Sequence, residues 1–181
     1  MTKPKQKHGV WIGISTFLVV MLILNGPDLF TTGRSYGRVP NYELLVRDVT
    51  AGDVRIRIPQ MEAFPEGEYY HMVSYDRRWF PTAAEGYQIV QKEADGTIGE
   101  GYSVQCHPDA EYELEPNITF LGIPMKLSET EVENIKDGFW VKQFIFELDG
   151  YTYRVRFESR NGVVEDVQPV LERLAADLIQ I

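Results

Sequence analysis

The stretch 139–159, FWVKQFIFELDGYTYRVRFES, decides the fold. Two runs rich in aromatic and β-branched residues flank Asp149-Gly150, a dipeptide typical of two-residue type I′ hairpin turns. A loop of that length fixes the register and places Phe146 opposite Tyr153 on an apolar face, while the other face is mostly polar. The stretch therefore predicts an antiparallel sheet with one face covered by the core.

The residues that follow this hairpin predict a C-terminal helix. Apolar residues at 167, 170, 171, 174, 178 and 179 recur at the spacing of one helical face. Pro169 falls in the first turn, where no intrahelical N–H is needed. We therefore predict a helix over residues 166–179 that packs across the sheet.

Several runs upstream of the hairpin have the composition of strands, being rich in tyrosine, valine and isoleucine. Asp95-Gly96 between two of these runs favours a second hairpin turn. The predicted strands cover residues 68–75, 87–92, 98–106 and 118–122.

Two further segments are predicted from local signals. The runs 42–49 and 53–58 are predicted to form a hairpin across Thr50-Ala51-Gly52. Ser128, with a glutamate three positions later, has the pattern of a capping box and predicts a helix that ends near Gly138. Because strands dominate and the chain ends in a helix, the predicted fold class is α+β: a mostly antiparallel β-sheet domain covered by a C-terminal helix.

The N-terminal residues 9–24 form an apolar run without a charged side chain. As a helix the run is roughly 24 Å long, slightly shorter than the hydrocarbon core of a bilayer. Bulky Leu22-Ile23-Leu24 stands where a signal peptidase needs small residues, so we predict an uncleaved single-pass transmembrane signal-anchor helix over 9–25. The predicted anchor residues are Val10, Trp11, Ile12, Phe17, Leu18, Val19, Val20, Met21, Leu22, Ile23 and Leu24.

The charged residues beside this run predict the orientation of the helix in the membrane. Residues 1–8 contain three lysines, and positively charged flanks remain in the cytoplasm. We predict a cytoplasmic tail over 1–8, a linker rich in Gly, Pro, Ser and Thr over 26–41, and an extracytoplasmic α+β domain over 42–181. The predicted location is the inner (plasma) membrane, with the domain in the periplasm or outside the cell.

The composition limits the partners of this domain. The 181 residues carry a net charge of −9, and beyond the N-terminal lysines 15 basic and 27 acidic side chains leave −12. Such an acidic body repels phosphate backbones, so we predict no nucleic-acid partner. A single cysteine, Cys106, excludes an intramolecular disulfide, so the domain must be stabilised by its core.

No cluster of titratable residues predicts catalysis or metal binding. Cys106 and His107 are neighbours on a predicted strand and therefore point to opposite faces, with no second cysteine or histidine nearby to complete a zinc site. The alternating acidic residues of 109–115 lack the glycine-assisted loop of a calcium site and indicate a charged strand edge. We predict no catalytic residue, no cofactor and no metal.

The segment 75–81, YDRRWFP, places two arginines between aromatic residues in an acidic protein. Arginine and tryptophan are enriched among the residues that dominate protein interfaces, which favours a contact patch for a protein partner or an anionic ligand. The alternative is a core tryptophan with two arginines paired to nearby acids. The predicted partner-binding residues are Tyr75, Arg77, Arg78, Trp79 and Phe80.

Three functions are compatible with these features. The first is a non-enzymatic, membrane-anchored protein-interaction domain that serves as an accessory or assembly subunit of a larger membrane complex. The second is a membrane-tethered immunity or inhibitor protein whose acidic surface binds a basic effector outside the cytoplasm. The third is a hydrolase that uses carboxylates or His71 and His107, and this hypothesis requires those groups to converge in space.

Overall fold

The computed structural model of the protein describes residues 34–51, 55–76, 84–97, 100–108, 115–132, 139–160 and 166–181. The predicted cytoplasmic tail and the predicted signal-anchor helix over 9–25 lie outside these residues. No helix within the described ranges is both long and apolar enough to span a bilayer.

An eight-stranded antiparallel sheet forms the centre of the domain, with strand order β1-β2-β3-β4-β8-β7-β6-β5. Within the described ranges, two α-helices and one 3₁₀ turn, Met61–Ala63, accompany the sheet. The strands are β1 (Arg34–Val39), β2 (Tyr69–Asp76), β3 (Ala84–Gln91), β4 (Gly101–His107), β5 (Ile118–Phe120), β6 (Ile123–Val132), β7 (Phe139–Leu148) and β8 (Tyr151–Ser159). The helices are α1 (Tyr42–Thr50) and α2 (Gln168–Gln180).

The β7–β8 hairpin is confirmed, together with its register. Phe146 pairs with Tyr153, and both residues of the turn have positive φ, 53° at Asp149 and 84° at Gly150, as a type I′ turn requires. The predicted α+β class and the C-terminal helix are also confirmed. The hairpin lies inside the sheet, because residues 152–158 of β8 also pair with β4.

Both helices cover the same face of the sheet, α1 over β1–β3 and α2 over β7–β8. Leu45 and Val49 of α1 and Leu171 and Leu174 of α2 are fully buried against apolar side chains of the strands. Burying a leucine or valine side chain stabilises a fold by about 1.5–3 kcal/mol, so these helices close the core.

The face opposite the helices is mostly polar, as the hairpin pattern predicts. Gln105 lies beside Arg154, and Gln143 lies beside Arg156, on neighbouring strands of this face. Ile145 on the same face is only 3 % exposed. The aliphatic stems of long polar side chains can cover such an apolar residue while their polar ends remain in water.

The predicted hairpin over 42–58 is wrong: residues 42–50 form helix α1, and the described residues 55–60 belong to no strand. Asn41 caps the helix, its side chain accepting a 2.9 Å hydrogen bond from the Leu44 N–H. Apolar residues at 42, 45, 46 and 49 have helical spacing, which the β-branched composition of this short run obscured.

The predicted helix from Ser128 is also wrong, because residues 128–132 continue strand β6. The capping-box pattern is local, whereas β6 pairs with β7 from Met125 to Val132, and that long-range pairing prevails. Residues 133–138 lie outside the described residues. Within the predicted linker over 26–41, residues 34–39 form β1, an edge strand paired with β2.

Candidate functional site

Of the predicted partner-binding residues, the structure describes only Tyr75; Arg77, Arg78, Trp79 and Phe80 lie outside the described residues. Tyr75 is half-buried near the end of β2, and a β-carbon on Gly37 of β1 would lie 3.1 Å from its ring. Burial and the carboxylate of Asp48 raise the pKa of Tyr75. This tyrosine therefore lies against β1 and α1 rather than projecting into solvent.

The last described residue before the predicted contact residues Arg77 to Phe80 lies beside β1. This residue, Asp76, is paired in register with Arg34, the first described residue of the chain. The predicted partner-binding segment therefore begins next to the point where the chain arrives from residues 1–33.

Cys106 and His107 point to opposite faces of β4, as predicted. Cys106 is fully buried in the core on the helix side, so His107, its neighbour on the strand, faces the other side. His71 lies on the helix side, where its ring packs against Tyr42 of α1 with ring centroids 6.2 Å apart. The two histidines therefore do not converge on one site.

Among the described residues, no group of three or more histidine, cysteine or carboxylate side chains is arranged to hold a metal ion. Glu115 is the only member of the acidic stretch 109–115 that the structure describes, and it is exposed. The remaining residues of that stretch lie outside the described ranges.

A groove of about 510 Å³ opens between α1 and the C-terminal end of α2. Apolar side chains and charged side chains both line it, a combination typical of binding sites. Sequence reasoning missed this groove, because it assigned two of its walls, α1 and residues 55–58, to a hairpin. The lining residues are Tyr42, Val46, Thr50, Arg55, Ile56, Arg57, Ile58, Asp149 and Ile181.

Arg57 connects the groove-lining residues 55–58 to the rest of the domain. Its Nη1 donates to the carbonyl oxygens of Leu178 (3.1 Å) and Ile179 (2.7 Å) at the end of α2, and its Nη2 lies 2.9 Å from Asp149 Oδ2. These helix carbonyls have no partner within the helix, so the guanidinium caps α2.

Two buried tyrosines hold the backbone of the same residue. The Arg57 N–H donates to the Tyr153 hydroxyl, and the Tyr87 hydroxyl donates to the Arg57 carbonyl oxygen, each at 2.8 Å. Burial raises the pKa of both tyrosines well above the ordinary value, so both hydroxyls remain protonated at neutral pH. Residues 55–58 are therefore fixed between the sheet and α2 without belonging to a strand.

The outer edge of β6 is the second feature that the sequence did not reveal. β5 pairs only with residues Ile123 to Met125 of this ten-residue strand. Beyond that point, Asn117 replaces a strand: its Nδ2 donates to the Leu127 carbonyl oxygen, and its Oδ1 accepts from the Leu127 N–H, each at 2.8 Å. Across the described ranges, nothing pairs with this edge after Leu127.

Burial lowers the pKa of His71 below its ordinary 6.5. As pH falls below about 6.5, the unfolded chain binds a proton more readily than the folded chain, so stability decreases by at most about 1.4 kcal/mol per pH unit from this group. Between pH 7.5 and pH 5.5, we expect the free energy of unfolding to decrease less in His71→Gln than in the unsubstituted protein. Urea unfolding at the two pH values measures this difference. Parallel stability–pH curves would contradict this expectation.

No protein-family model, curated protein or solved structure matches the chain. The fold and the surfaces described above therefore stand on the geometry of this chain. They define an α+β domain whose single antiparallel sheet carries both helices on one face.

Proposed function

We propose that the chain is a membrane-anchored, extracytoplasmic protein-interaction domain that serves as an accessory or assembly subunit of a larger membrane complex. The anchor in this proposal is the uncharged apolar run 9–24, with the N-terminal lysines in the cytoplasm. The partner-binding residues in it are Tyr75, Arg77, Arg78, Trp79 and Phe80.

The pairing of Arg34 with Asp76 is the observation that carries this proposal. Only the nine residues 25–33 separate the apolar run from β1, and an extended chain of that length spans at most about 30 Å. Residues 77–80 directly follow Asp76, which pairs with β1, so an anchored domain would hold the start of that segment close to the bilayer. A tether of this length raises the effective concentration of the segment near membrane partners.

The orientation is tested with reporter fusions after Ile181. We expect a phosphatase that is active only outside the cytoplasm to be active in this fusion, and the chain to remain in the membrane pellet after carbonate extraction. A reporter that works only in the cytoplasm, or a chain released into the soluble fraction, would refute the anchored arrangement.

The interaction is tested by co-purification of the tagged full chain from membranes in mild detergent. We expect partner subunits to co-elute, and the double variant Arg78→Ala/Trp79→Ala to lose them while its yield and circular dichroism are unchanged. Arg47→Ala is the matched control, because Arg47 is an exposed arginine of α1 paired with its neighbour Asp48. Elution of the unsubstituted chain as a lone monomer would count against the proposal.

A further inference from the structure

We propose that the outer edge of β6, at residues 128–132, binds an extended basic segment of a partner protein as an additional strand. This inference goes beyond the proposed function, because it uses the edge of the sheet opposite β1 and does not depend on a membrane anchor. Adding a strand to an open sheet edge is a recurrent way in which proteins recognise peptides.

Among the described residues, the Asn117 side chain makes the last pairing on this edge. Its amide makes both hydrogen bonds that a neighbouring peptide group would make to Leu127. In an antiparallel strand, every second residue directs its N–H and carbonyl to the same side, so Glu129 and Glu131 present theirs to the edge that Asn117 leaves open. Their even-numbered neighbours bond to β7 instead.

Exposed strand edges are usually protected by charged side chains, above all lysine, by proline or by a bulge. Residues 127–132, LSETEV, contain no lysine or proline, and their pairing with β7 is continuous, so the two glutamates are the feature that protects this edge from pairing with a second copy. Within the described ranges, residues 128–132 therefore form a regular strand that has no strand partner on the side away from β7.

The charge of this edge identifies the kind of partner. The Glu129 side chain is 54 % exposed, and its carboxylate meets Lys142 Nζ at 3.6 Å and the Trp140 indole N–H at 3.2 Å. If two copies of the chain paired through this edge, glutamates at 129 and 131 would oppose glutamates, which is destabilising. A basic segment is favoured instead, and the net charge of −9 would speed its encounter.

The experiment measures binding of labelled peptides to the full chain in detergent micelles by fluorescence anisotropy. The probe is a seven-residue peptide that alternates lysine and threonine; its controls are the glutamate–threonine peptide and a peptide of the same composition with the lysines grouped. We expect the alternating lysine peptide to bind at least about tenfold more tightly than either control. Equal binding of the grouped-lysine peptide would mean simple charge attraction and would overturn the inference.

A pair of variants separates the contribution of the Glu129 backbone N–H to peptide binding from that of the Glu129 charge. Glu129→Gln removes the charge and keeps the outward N–H, whereas Glu129→Pro also removes that N–H and leaves the N–H groups that bond β7 in place. We expect the proline variant to bind about tenfold more weakly than the glutamine variant, with both folded by circular dichroism. Equal affinity of the two variants would overturn the inference, and so would a concentration-dependent dimer that Glu129→Pro abolishes.

Discussion

Replacing Arg57 by methionine is expected to lower the free energy of unfolding by about 3 kcal/mol, since hydrogen bonds to charged groups contribute about 1.5–3 kcal/mol each. The substitution keeps most of the aliphatic stem and removes the two bonds to the helix carbonyls of Leu178 and Ile179 and the ion pair with Asp149. The carbonyls at the end of α2 then lose their cap. Urea unfolding of the full chain, followed by circular dichroism, measures the change.

Arg55→Met is the matched control for this prediction. Arg55 lines the same groove two residues earlier and is exposed, so its replacement is expected to change stability by less than about 0.5 kcal/mol. Asp149→Asn removes only the partly exposed ion pair and is expected to cost about 1 kcal/mol or less. Equal effects of Arg57→Met and Arg55→Met would show that the cap on α2 is not important for stability.

The second large effect is expected from Gly86→Ala, which adds a single methyl group. A β-carbon at Gly86 of β3 would overlap the carbonyl oxygen of Cys106 on β4 and lie 2.9 Å from Ser74 Oγ on β2. The obstructing group is backbone in the middle of the sheet, where it cannot move without disturbing two strands. We expect a cost of about 3 kcal/mol, at the upper end for overpacking substitutions, or a failure to accumulate folded protein.

Gly37→Ala on β1 provides the comparison. Its β-carbon would meet only the ring of Tyr75 at 3.1 Å, and a side-chain ring can shift more easily than the backbone carbonyl that obstructs residue 86. Alanine in a strand also restricts the unfolded chain more than glycine does, so we expect a net change within about 1 kcal/mol. If the two alanine variants unfold at the same urea concentration, close approach of the backbones is not the reason for the glycine at 86.

The β7–β8 hairpin was predictable to the residue because its signals are local and agree with one another. Asp149-Gly150 specifies the turn, the turn specifies the register, and the alternation of apolar residues specifies which face is buried. The β3–β4 hairpin around Asp95-Gly96 and the C-terminal helix were predictable for the same reason.

The two wrong predictions, over 42–58 and from Ser128, concern short segments in which local and long-range signals disagree. Residues 42–50 combine helical spacing with β-branched composition, and the cap at Asn41 decides in favour of the helix. The segment from Ser128 has a helix-start pattern, yet pairing with β7 makes it a strand. Short apolar runs are ambiguous in this way until their tertiary partners are known.

Neither the groove lined by Arg57 nor the open edge of β6 could be predicted from the sequence. The Arg57 side chain contacts residues that are 92 to 122 positions away in sequence, and no local pattern predicts such contacts. Asn117 has the sequence context of an ordinary loop residue, and nothing in that context predicts that its amide bonds to both backbone groups of Leu127. The contact residues Arg77, Arg78, Trp79 and Phe80 remain a prediction from composition alone.

The place of β8 in the sheet has a consequence for the biosynthesis of the domain. β8 joins β1–β4 to β5–β7, and in sequence it comes after all the other described strands. Until residues 151–159 have been made, β4 has no partner on one side and its Val104 and Cys106 lack the strand that packs beside them. The nascent chain therefore cannot complete this core until β8 has been made, and a premature stop before β8 is expected to yield an aggregation-prone fragment that depends on chaperones.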